Sequence, residues 1–187
     1  MNKKFAAAVS GGAVLMLVLS GCGEDDSDKK AEAWAKKVCD AWQPELKKIE
    51  TADADIKRVS TESSKPEEVQ KTDSEAFQTK SDSYKALAGA LQGAGVPPVK
   101  DGQATQDAAV KGFQDTSKGY ADLKAKVDAL DPKDQLKFAD GLKAVANGLA
   151  EASKGGQDAL DKLKTGGLDK VMNNQKGCQV TVPSPPK

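Results

Sequence analysis

Three cysteines, Cys22, Cys39 and Cys178, are the residues of this chain best suited to covalent chemistry, and the 187-residue sequence contains no histidine. Without an imidazole there is no Ser–His or Cys–His pair to activate a nucleophile, and no histidine ligand for a metal ion. The sequence therefore predicts a protein that is not an enzyme and that uses no cofactor.

Acidic residues stand close together at three places: Asp25-Asp26, Asp53/Asp55 and Glu67-Glu68. Acid–base catalysis would need such carboxylates to be buried or coupled in a cleft, which shifts their pKa values. These residues lie in polar stretches, and adjacent residues on a helix point in different directions, so we expect solvated helix surfaces. Asp53-Ala54-Asp55 also lacks the glycine, the further ligands and the closing glutamate of a calcium loop.

Phosphate and nucleic acid are not predicted as ligands. Gly93-Ala94-Gly95 is followed by two prolines rather than by a helix N-terminus with a Lys-Ser/Thr pair, so it does not resemble a phosphate-binding loop. Lys and Arg number 28 and Asp and Glu also number 28, with the lysines dispersed among the acids. Because there is no basic patch, we expect no nucleic-acid partner.

Trp34 and Trp42 stand eight residues apart, on about the same face of a predicted helix. Paired tryptophans can bind sugars or anchor a protein at a membrane interface. Trp42 lies on the apolar stripe of its helix, so we expect it in the core. Trp34 is the one candidate interaction residue, and the sequence leaves open whether it packs at the end of the fold or contacts a membrane.

The N-terminus has the pattern of a secretory signal over residues 1–21. A short basic region, Asn2-Lys3-Lys4, precedes a mostly apolar run from Phe5 to Leu19, and the small residues Ser20-Gly21 follow. At about 1.5 Å per residue, this run is too short to cross a bilayer core of about 30 Å comfortably. We expect residues 1–21 to be removed from the mature protein.

Leu19-Ser20-Gly21-Cys22, at the end of this signal, resembles the lipobox of bacterial lipoproteins. The resemblance covers residues 1–22 and implies that Cys22 is lipidated, becomes the mature N-terminus and anchors the protein to a membrane. The two or more acyl chains would hold it stably. The alternative is an ordinary secreted protein in which Cys22 is a free thiol or half of a disulfide. In composition and size the chain is also similar to small secreted lipoproteins of actinobacteria, a likeness that implies no activity.

Cys39 and Cys178 are left once Cys22 is assigned to the lipid. An exported protein folds in an oxidising environment, where an even pair of cysteines is typical of a disulfide. The alternative, a metal-binding or catalytic thiol pair, would lack both a histidine and a nearby Cys-x-x-Cys motif. We therefore expect a Cys39–Cys178 disulfide and no metal site.

The elements that must position these residues are predicted by apolar residues spaced three and four apart, which is the pattern of amphipathic helices. After a short acidic tether at residues 22–28, the first helix is expected from about Lys29 to Ser60. Pro44 lies inside it and would either kink the helix or start it afresh. We expect a kink, because the apolar stripe continues in phase on both sides.

The second helix is expected from Pro66 to about Gly93, with Ser64 and Glu67 at the spacing of a capping box. The third is expected from about Gly102 to Leu130. It has two series of residues seven apart that together form an a/d heptad pattern: Phe113, Tyr120 and Val127, and Thr116, Leu123 and Leu130.

The fourth helix is expected to follow Asp131 as N-cap and Pro132 as first helical residue, and to run to about Thr165. Gly166-Gly167 would end it, and a short helical turn would follow through Leu168, Val171 and Met172. No stretch has the alternating pattern of a strand. Residues 181–187 are rich in proline and are expected to form a flexible tail.

Short connections between long helices predict an all-α fold, an up-down-up-down antiparallel four-helix bundle spanning residues 29–180. This topology returns the end of the fourth helix to the start of the first. It would therefore bring Cys39 and Cys178 together, in agreement with the predicted disulfide.

Glycines recur every seven residues in the last two long helices, at Gly112 and Gly119 and at Gly141, Gly148 and Gly155. Each costs about 1 kcal/mol relative to alanine inside a helix. We expect the two helices to pack closely along a seam of glycine and alanine. The alternative is that the glycines soften the helices or open a groove.

These features predict a lipid-anchored protein on the extracytoplasmic face of the cell membrane. We expect a non-enzymatic interaction or structural module of the cell envelope. Its partners would be the membrane, reached through the N-terminal lipid, and an envelope protein or cell-wall polymer. The alternative function is a small-ligand carrier with a cavity inside the bundle.

Overall fold

The computed structural model of the protein describes residues 23–61 and 63–179. The predicted signal, Cys22 and the tail at 181–187 lie outside the described residues. Within those residues the chain forms four long helices and no strand, which confirms the predicted all-α class and four-helix bundle. The helices are α1 (Gly23–Val59), α2 (Pro66–Ala94), α3 (Gly102–Asp128) and α4 (Gln135–Leu163). A π-helical segment (Lys164–Leu168), the short helix α5 (Asp169–Asn173) and a 3-10 turn (Lys176–Cys178) follow.

Helix α1 is longer than expected, because it begins at Gly23. Residues 23–28, predicted to be a tether, are therefore helical, and their role as a tether stays a prediction. The helix continues through Pro44 and does not start afresh there. Residues of the apolar stripe are buried on both sides of the proline: Ala35, Val38 and Trp42 before it, Ile49 and Ala52 after it. This burial offsets the backbone hydrogen bond that the proline removes.

The predicted capping box at the start of α2 is wrong. The N-cap is Lys65, which makes no side-chain capping bond. The hydroxyl of Ser64 lies 2.7 Å from the hydroxyl of Thr61, within the turn that precedes the helix. The side chain of Ser64 therefore bonds within the preceding turn and does not cap the helix.

The predicted cap of α4 is also wrong, because α4 begins three residues later than expected. Asp134 is its N-cap and accepts a hydrogen bond from the backbone N–H of Lys137 at 3.2 Å. Asp131 instead accepts one from the backbone N–H of Lys133 at 3.0 Å. Aspartate suits both positions. Asp131 forms a turn before the helix, in which its side chain accepts a hydrogen bond from the backbone two residues later.

The core is shared by the four long helices, and its aromatic rings lie between α1, α2 and α3. Trp42 of α1 meets Phe113 of α3 edge to face, with ring centroids 5.4 Å apart. Tyr84 of α2 stacks on Tyr120 of α3, with centroids 5.6 Å apart. Phe113, Tyr120 and Val127 are fully buried, and Thr116 and Leu123 of the second predicted series are buried as well, which confirms the heptad pattern at these positions. Leu130 lies after the end of α3 and is only half-buried.

Helix α4 is packed on one side. It lies along α3, approaches α2 at few points and hardly approaches the backbone of α1. The end of the chain makes the contacts with α1 instead, through α5 and the 3-10 turn. Leu168 and Met172, in the predicted short helical turn, are buried. Gly167, which was expected to help end α4, adopts a φ of 91° inside the π-helical segment, where the helical path is broken.

Cys39 and Cys178 form the predicted disulfide, with their Cα atoms 5.0 Å apart. The bridge joins α1 to the 3-10 turn across 139 residues of sequence. Gly177 permits the close approach, because a Cβ at this position would collide with the carbonyl oxygen of Cys39. The bridge thus ties the last described turns of the chain to α1, and we call this end of the bundle the disulfide end.

Candidate functional site

A partly buried cluster of polar side chains links α1 to α2, α2 to α3, and α3 to α4, and we call it the polar centre: Asp53, Lys80, Tyr84, Tyr120 and Ser153. Lys80 of α2 is only 3% exposed. Its ammonium forms a salt bridge with Asp53 of α1 and lies 4.6 Å from the centroid of the Tyr120 ring. The carboxylate and the face of the ring together compensate the ammonium for part of its lost hydration.

Two tyrosines form the side of the polar centre that faces α4. The hydroxyl of Tyr120 lies 3.0 Å from the hydroxyl of Ser153. Gly156 of α4 makes room for Tyr84, since a Cβ on that glycine would lie 2.6 Å from the tyrosine hydroxyl oxygen. Burial, followed by the charges of Tyr120 and Asp53, raises the pKa of Tyr84 well above its usual range. Its hydroxyl therefore stays protonated at physiological pH.

The polar centre has the chemistry of a buried ion pair. The Lys80 ammonium and the Asp53 carboxylate neutralise each other, and the ring of Tyr120 lies against the ammonium. The side chain of Asp53 keeps 24% of its surface exposed, so Lys80 is the more deeply buried member of the pair. Removal of either member would leave an uncompensated charge in a mostly apolar interior.

The prediction that Asp53 lies on a solvated helix surface is wrong, because its side chain is half-buried against Lys80 of α2. Glu67 and Glu68 are exposed, as expected. Lys80 was not among the residues predicted to form a site. A signal was present, since Lys80 lies three residues after Phe77 and four before Tyr84, on the apolar stripe of α2. A charged residue on such a stripe indicates a buried partner.

Asp73 is a second buried charge-bearing residue that was not predicted from the sequence. It is 7% exposed, and its Oδ1 atom has no hydrogen-bond partner among the described residues. Burial raises the pKa of its carboxyl group from 3.8 to about 6. It precedes Lys80 by seven residues on α2, and so lies on the same face of that helix. Unlike Asp53, it has no cationic partner among the described ion pairs.

A cleft of about 660 Å³ opens at the end of the bundle opposite the disulfide, and we call it the far-end cleft. It brings the start of α2 together with the connection that precedes α4. Leu136, on its wall, is 82% exposed, which is unusual for so large an apolar side chain. The lining residues come from two segments: Pro66-Glu67 and residues 132–136.

A smaller cleft, of about 310 Å³, lies at the other end of the bundle. The first turns of α1, the connection between α2 and α3, and α5 meet there. The two clefts therefore place successive helix connections at opposite ends, as the predicted antiparallel topology requires.

The seam between α3 and α4 is packed as tightly as predicted. A Cβ on Gly112 would lie 2.8 Å from the Cβ of Ala159, and one on Gly148 would lie 2.7 Å from a methyl carbon of Leu123. Both distances are too short for a side chain, so close packing accounts for these glycines. The same seam also lines a surface groove of about 450 Å³, edged by four acidic residues: Asp115, Asp122, Glu151 and Asp158.

Trp34 has a packing role at the disulfide end. It is 6% exposed, and its indole N–H donates a hydrogen bond to the carbonyl oxygen of Gly95 at 2.7 Å. The side-chain amide of Gln106 donates to the same oxygen at 2.9 Å. These bonds satisfy a carbonyl at the C-terminus of α2 that no helical N–H can reach. Trp42 is in the core, as predicted, and its indole N–H donates to the carbonyl oxygen of Leu87 at 3.0 Å.

In the described part of the chain, the cysteines and acidic residues form no group of three that could hold a metal ion. Among the helices of residues 23–61 and 63–179, none has an apolar stretch long enough to span a membrane. Comparisons of the chain with protein-family models, with curated protein sequences and with solved structures found no match. The chain's own residues are therefore the basis of the functional proposal.

Proposed function

We propose that this protein is a lipid-anchored protein of the extracytoplasmic face of the cell membrane, where it acts as a non-enzymatic interaction or structural module. The observation that carries the proposal is the Cys39–Cys178 disulfide. A disulfide is typical of an oxidising compartment, and this one uses both cysteines other than Cys22. The lipobox-like residues Leu19-Ser20-Gly21-Cys22 support lipidation of the third cysteine.

The position of α1 supports a bundle that stands away from the membrane. The helix begins directly after Cys22, so the lipid would be attached at its first turn. Its 37 residues extend over about 55 Å at 1.5 Å per residue. The far-end cleft would then be the part of the bundle most distant from the lipid. An envelope protein or a cell-wall polymer is the class of partner that a molecule in this position would meet.

A small-ligand carrier would need an internal cavity of several hundred Å³. The three clefts described above lie at the two ends of the bundle and on the surface along α3 and α4, and the side chains of the polar centre contact one another. These observations favour the interaction or structural module.

Partition between detergent and water tests the lipid anchor. We expect the wild-type protein, expressed with its signal in a bacterial host, to enter the detergent phase and the membrane fraction. The Cys22→Ala variant should stay in the aqueous phase, because the bundle has no other anchor in this proposal. Mass spectrometry of the wild-type N-terminal peptide should find acyl chains on Cys22.

Ser27→Ala is the matched control, since it changes an exposed residue five positions further along α1. It should partition like the wild type. A Cys22→Ala protein that stays wholly in the membrane, or a wild-type Cys22 that carries a free thiol, would contradict the proposal.

A further inference from the structure

Helix α4 is the least securely packed of the four long helices. Its backbone lies along α3 and hardly approaches α1, although a closed bundle would pair the first helix with the last. Three leucines of its apolar stripe are only half-buried as a result: Leu142, Leu149 and Leu160. Their partly exposed surface means that α4 gains less from burial than helices with neighbours on two sides.

Helix α4 is also intrinsically weak, because it contains four glycines: Gly141, Gly148, Gly155 and Gly156. Each glycine lowers the helix-forming equilibrium by about fivefold relative to alanine. Gly148 and Gly155 face side chains of α3, Gly141 faces Leu130 just after α3, and Gly156 faces Tyr84 of α2. Close packing at these positions is therefore obtained with residues that weaken the helix.

Both ends of α4 are suited to act as hinges. Before it lies a connection that contains Pro132, and after it lies the π-helical segment with Gly167 at a φ of 91°. Beyond this segment, the disulfide ties the 3-10 turn to α1. Leu163, just before the π-helical segment, and Leu168, its last residue, are both fully buried, so this end stays anchored when the helix moves.

The inner side of α4 lies over the polar centre. Ser153 meets the hydroxyl of Tyr120, and Gly156 lies against the hydroxyl of Tyr84. The Tyr120 ring in turn lies against the Lys80 ammonium. The contacts that hold this part of α2 to α1 and α3 do not involve α4: the Lys80–Asp53 pair and the Tyr84–Tyr120 stack.

We propose that α4 is a hinged lid, which opens as a unit while α1, α2 and α3 stay packed together, and that its opening uncovers Lys80 and the two tyrosines. Elements with few buried contacts open locally, at a lower free energy than the whole domain. The lid does not depend on the lipid anchor, and it places one charged pair and two stacked rings behind a movable helix.

Native-state hydrogen exchange of the full chain, with its disulfide intact, tests the lid. Amides of α4 should exchange through an opening that leaves the amides of α2 protected. Asn147→Ala, at an exposed position of α4, should slow exchange in α4 about threefold, because alanine is the better helix former.

Gly89→Ala is the matched control in α2, where a Cβ would meet nothing within 4 Å. It should slow exchange only in the residues that require global unfolding, by about fivefold, and leave α4 unchanged. If α4 and α2 exchange together and Gly89→Ala slows both equally, α4 opens only when the whole protein unfolds, and the lid is overturned.

Acylation of Lys80 by an amine-reactive ester, followed by mass spectrometry, tests what the lid covers. The labelling rate of Lys80 should fall about threefold in Asn147→Ala, in step with α4 exchange, and stay unchanged in Gly89→Ala. Exposed Lys85 provides the reference rate. Labelling of Lys80 that is insensitive to Asn147→Ala would show that the lysine is reached another way, and would overturn the proposed cover even if α4 opens alone.

Discussion

At the scale of single residues, the bundle buries charge-bearing groups in two different ways. Lys80 and Asp53 compensate each other, and Tyr120 completes the surroundings of the ammonium. Asp73 has no cationic partner among the described ion pairs, and burial raises its pKa to about 6. The first arrangement depends on the presence of both partners, whereas the second depends on pH.

Breaking the buried pair should destabilise the protein. Lys80→Met leaves the Asp53 carboxylate without its partner, and we expect a loss of about 2 kcal/mol in the free energy of unfolding, because Asp53 is still in part exposed. Urea denaturation of the purified protein measures the loss. The double variant Asp53→Asn/Lys80→Met, which removes both charges, should recover at least half of it. A double variant as unstable as the sum of the two single variants would show that the charges do not act as a pair.

Asp73 should make stability fall as the pH rises. Because its pKa is raised on folding, the folded state binds the proton more tightly than the unfolded state. This contribution is fully present below about pH 4 and is lost as the pH rises through about 6, with a total of about 3 kcal/mol. Asp73→Asn should remove that pH-dependent loss, so that the variant gains on the wild type between pH 4 and 7.

Urea denaturation at a series of pH values measures the Asp73 effect as the difference between variant and wild type. Asp82→Asn, at an exposed position of the same helix, is the control and should leave the profile unchanged. A constant offset between Asp73→Asn and the wild type across this range would contradict the raised pKa.

At the scale of helices, the seven-residue glycine spacing was sufficient to predict that α3 and α4 approach closely. The spacing could not say which glycines are tight. A Cβ added at Gly112 would lie 2.8 Å from the Cβ of Ala159, which is too close. A Cβ added at Gly119 would lie 3.5 Å from the Cβ of Ala152, which is an ordinary contact distance. That difference depends on the exact height of one helix against the other.

Alanine substitutions should therefore differ in sign. Gly112→Ala forces α3 and α4 apart, and we expect a loss of about 1–3 kcal/mol, as for other overpacked sites. Gly119→Ala fits without a clash and should stabilise the protein by up to about 1 kcal/mol through helix propensity. Thermal and urea unfolding of the two variants check this. Equal destabilisation by both variants would contradict the proposed difference in the space available at Gly112 and Gly119.

At the scale of the whole molecule, the disulfide links the C-terminal part of the chain to α1, a contact that α4 hardly makes. Helix α4 hardly approaches α1, and the terminal segment reaches α1 through α5, the 3-10 turn and Cys178. A bridge that spans 139 residues restricts the unfolded chain over most of its length. Much of the stability of this protein should therefore depend on its redox state.

Replacement of both cysteines, Cys39→Ser with Cys178→Ser, should lower the free energy of unfolding by up to about 5 kcal/mol. Urea denaturation with and without a thiol reductant measures this. Reductant should shift the wild type towards the double variant and leave the double variant unchanged. If a wild-type protein with both thiols shown to be free keeps its full stability, the bridge has no stabilising role.

The sequence alone determined the four helices, their antiparallel order and the pairing of the two cysteines. Apolar spacing is a local property, and short connections leave long helices few ways to pack. The caps at Ser64 and Asp131 were predicted wrongly although they are also local, because each side chain has a turn partner that competes with the helix.

Only the tertiary structure decided where the charges lie and how the bundle closes. In the sequence Asp53 stands among polar residues, and its partial burial results from its contact with Lys80 of another helix. The one-sided packing of α4 and the unpartnered carboxyl of Asp73 likewise depend on distances between helices. The physical reason is that helix periodicity specifies which face is buried, whereas the free energy of a buried charge is set by atoms that meet it from elsewhere in the chain.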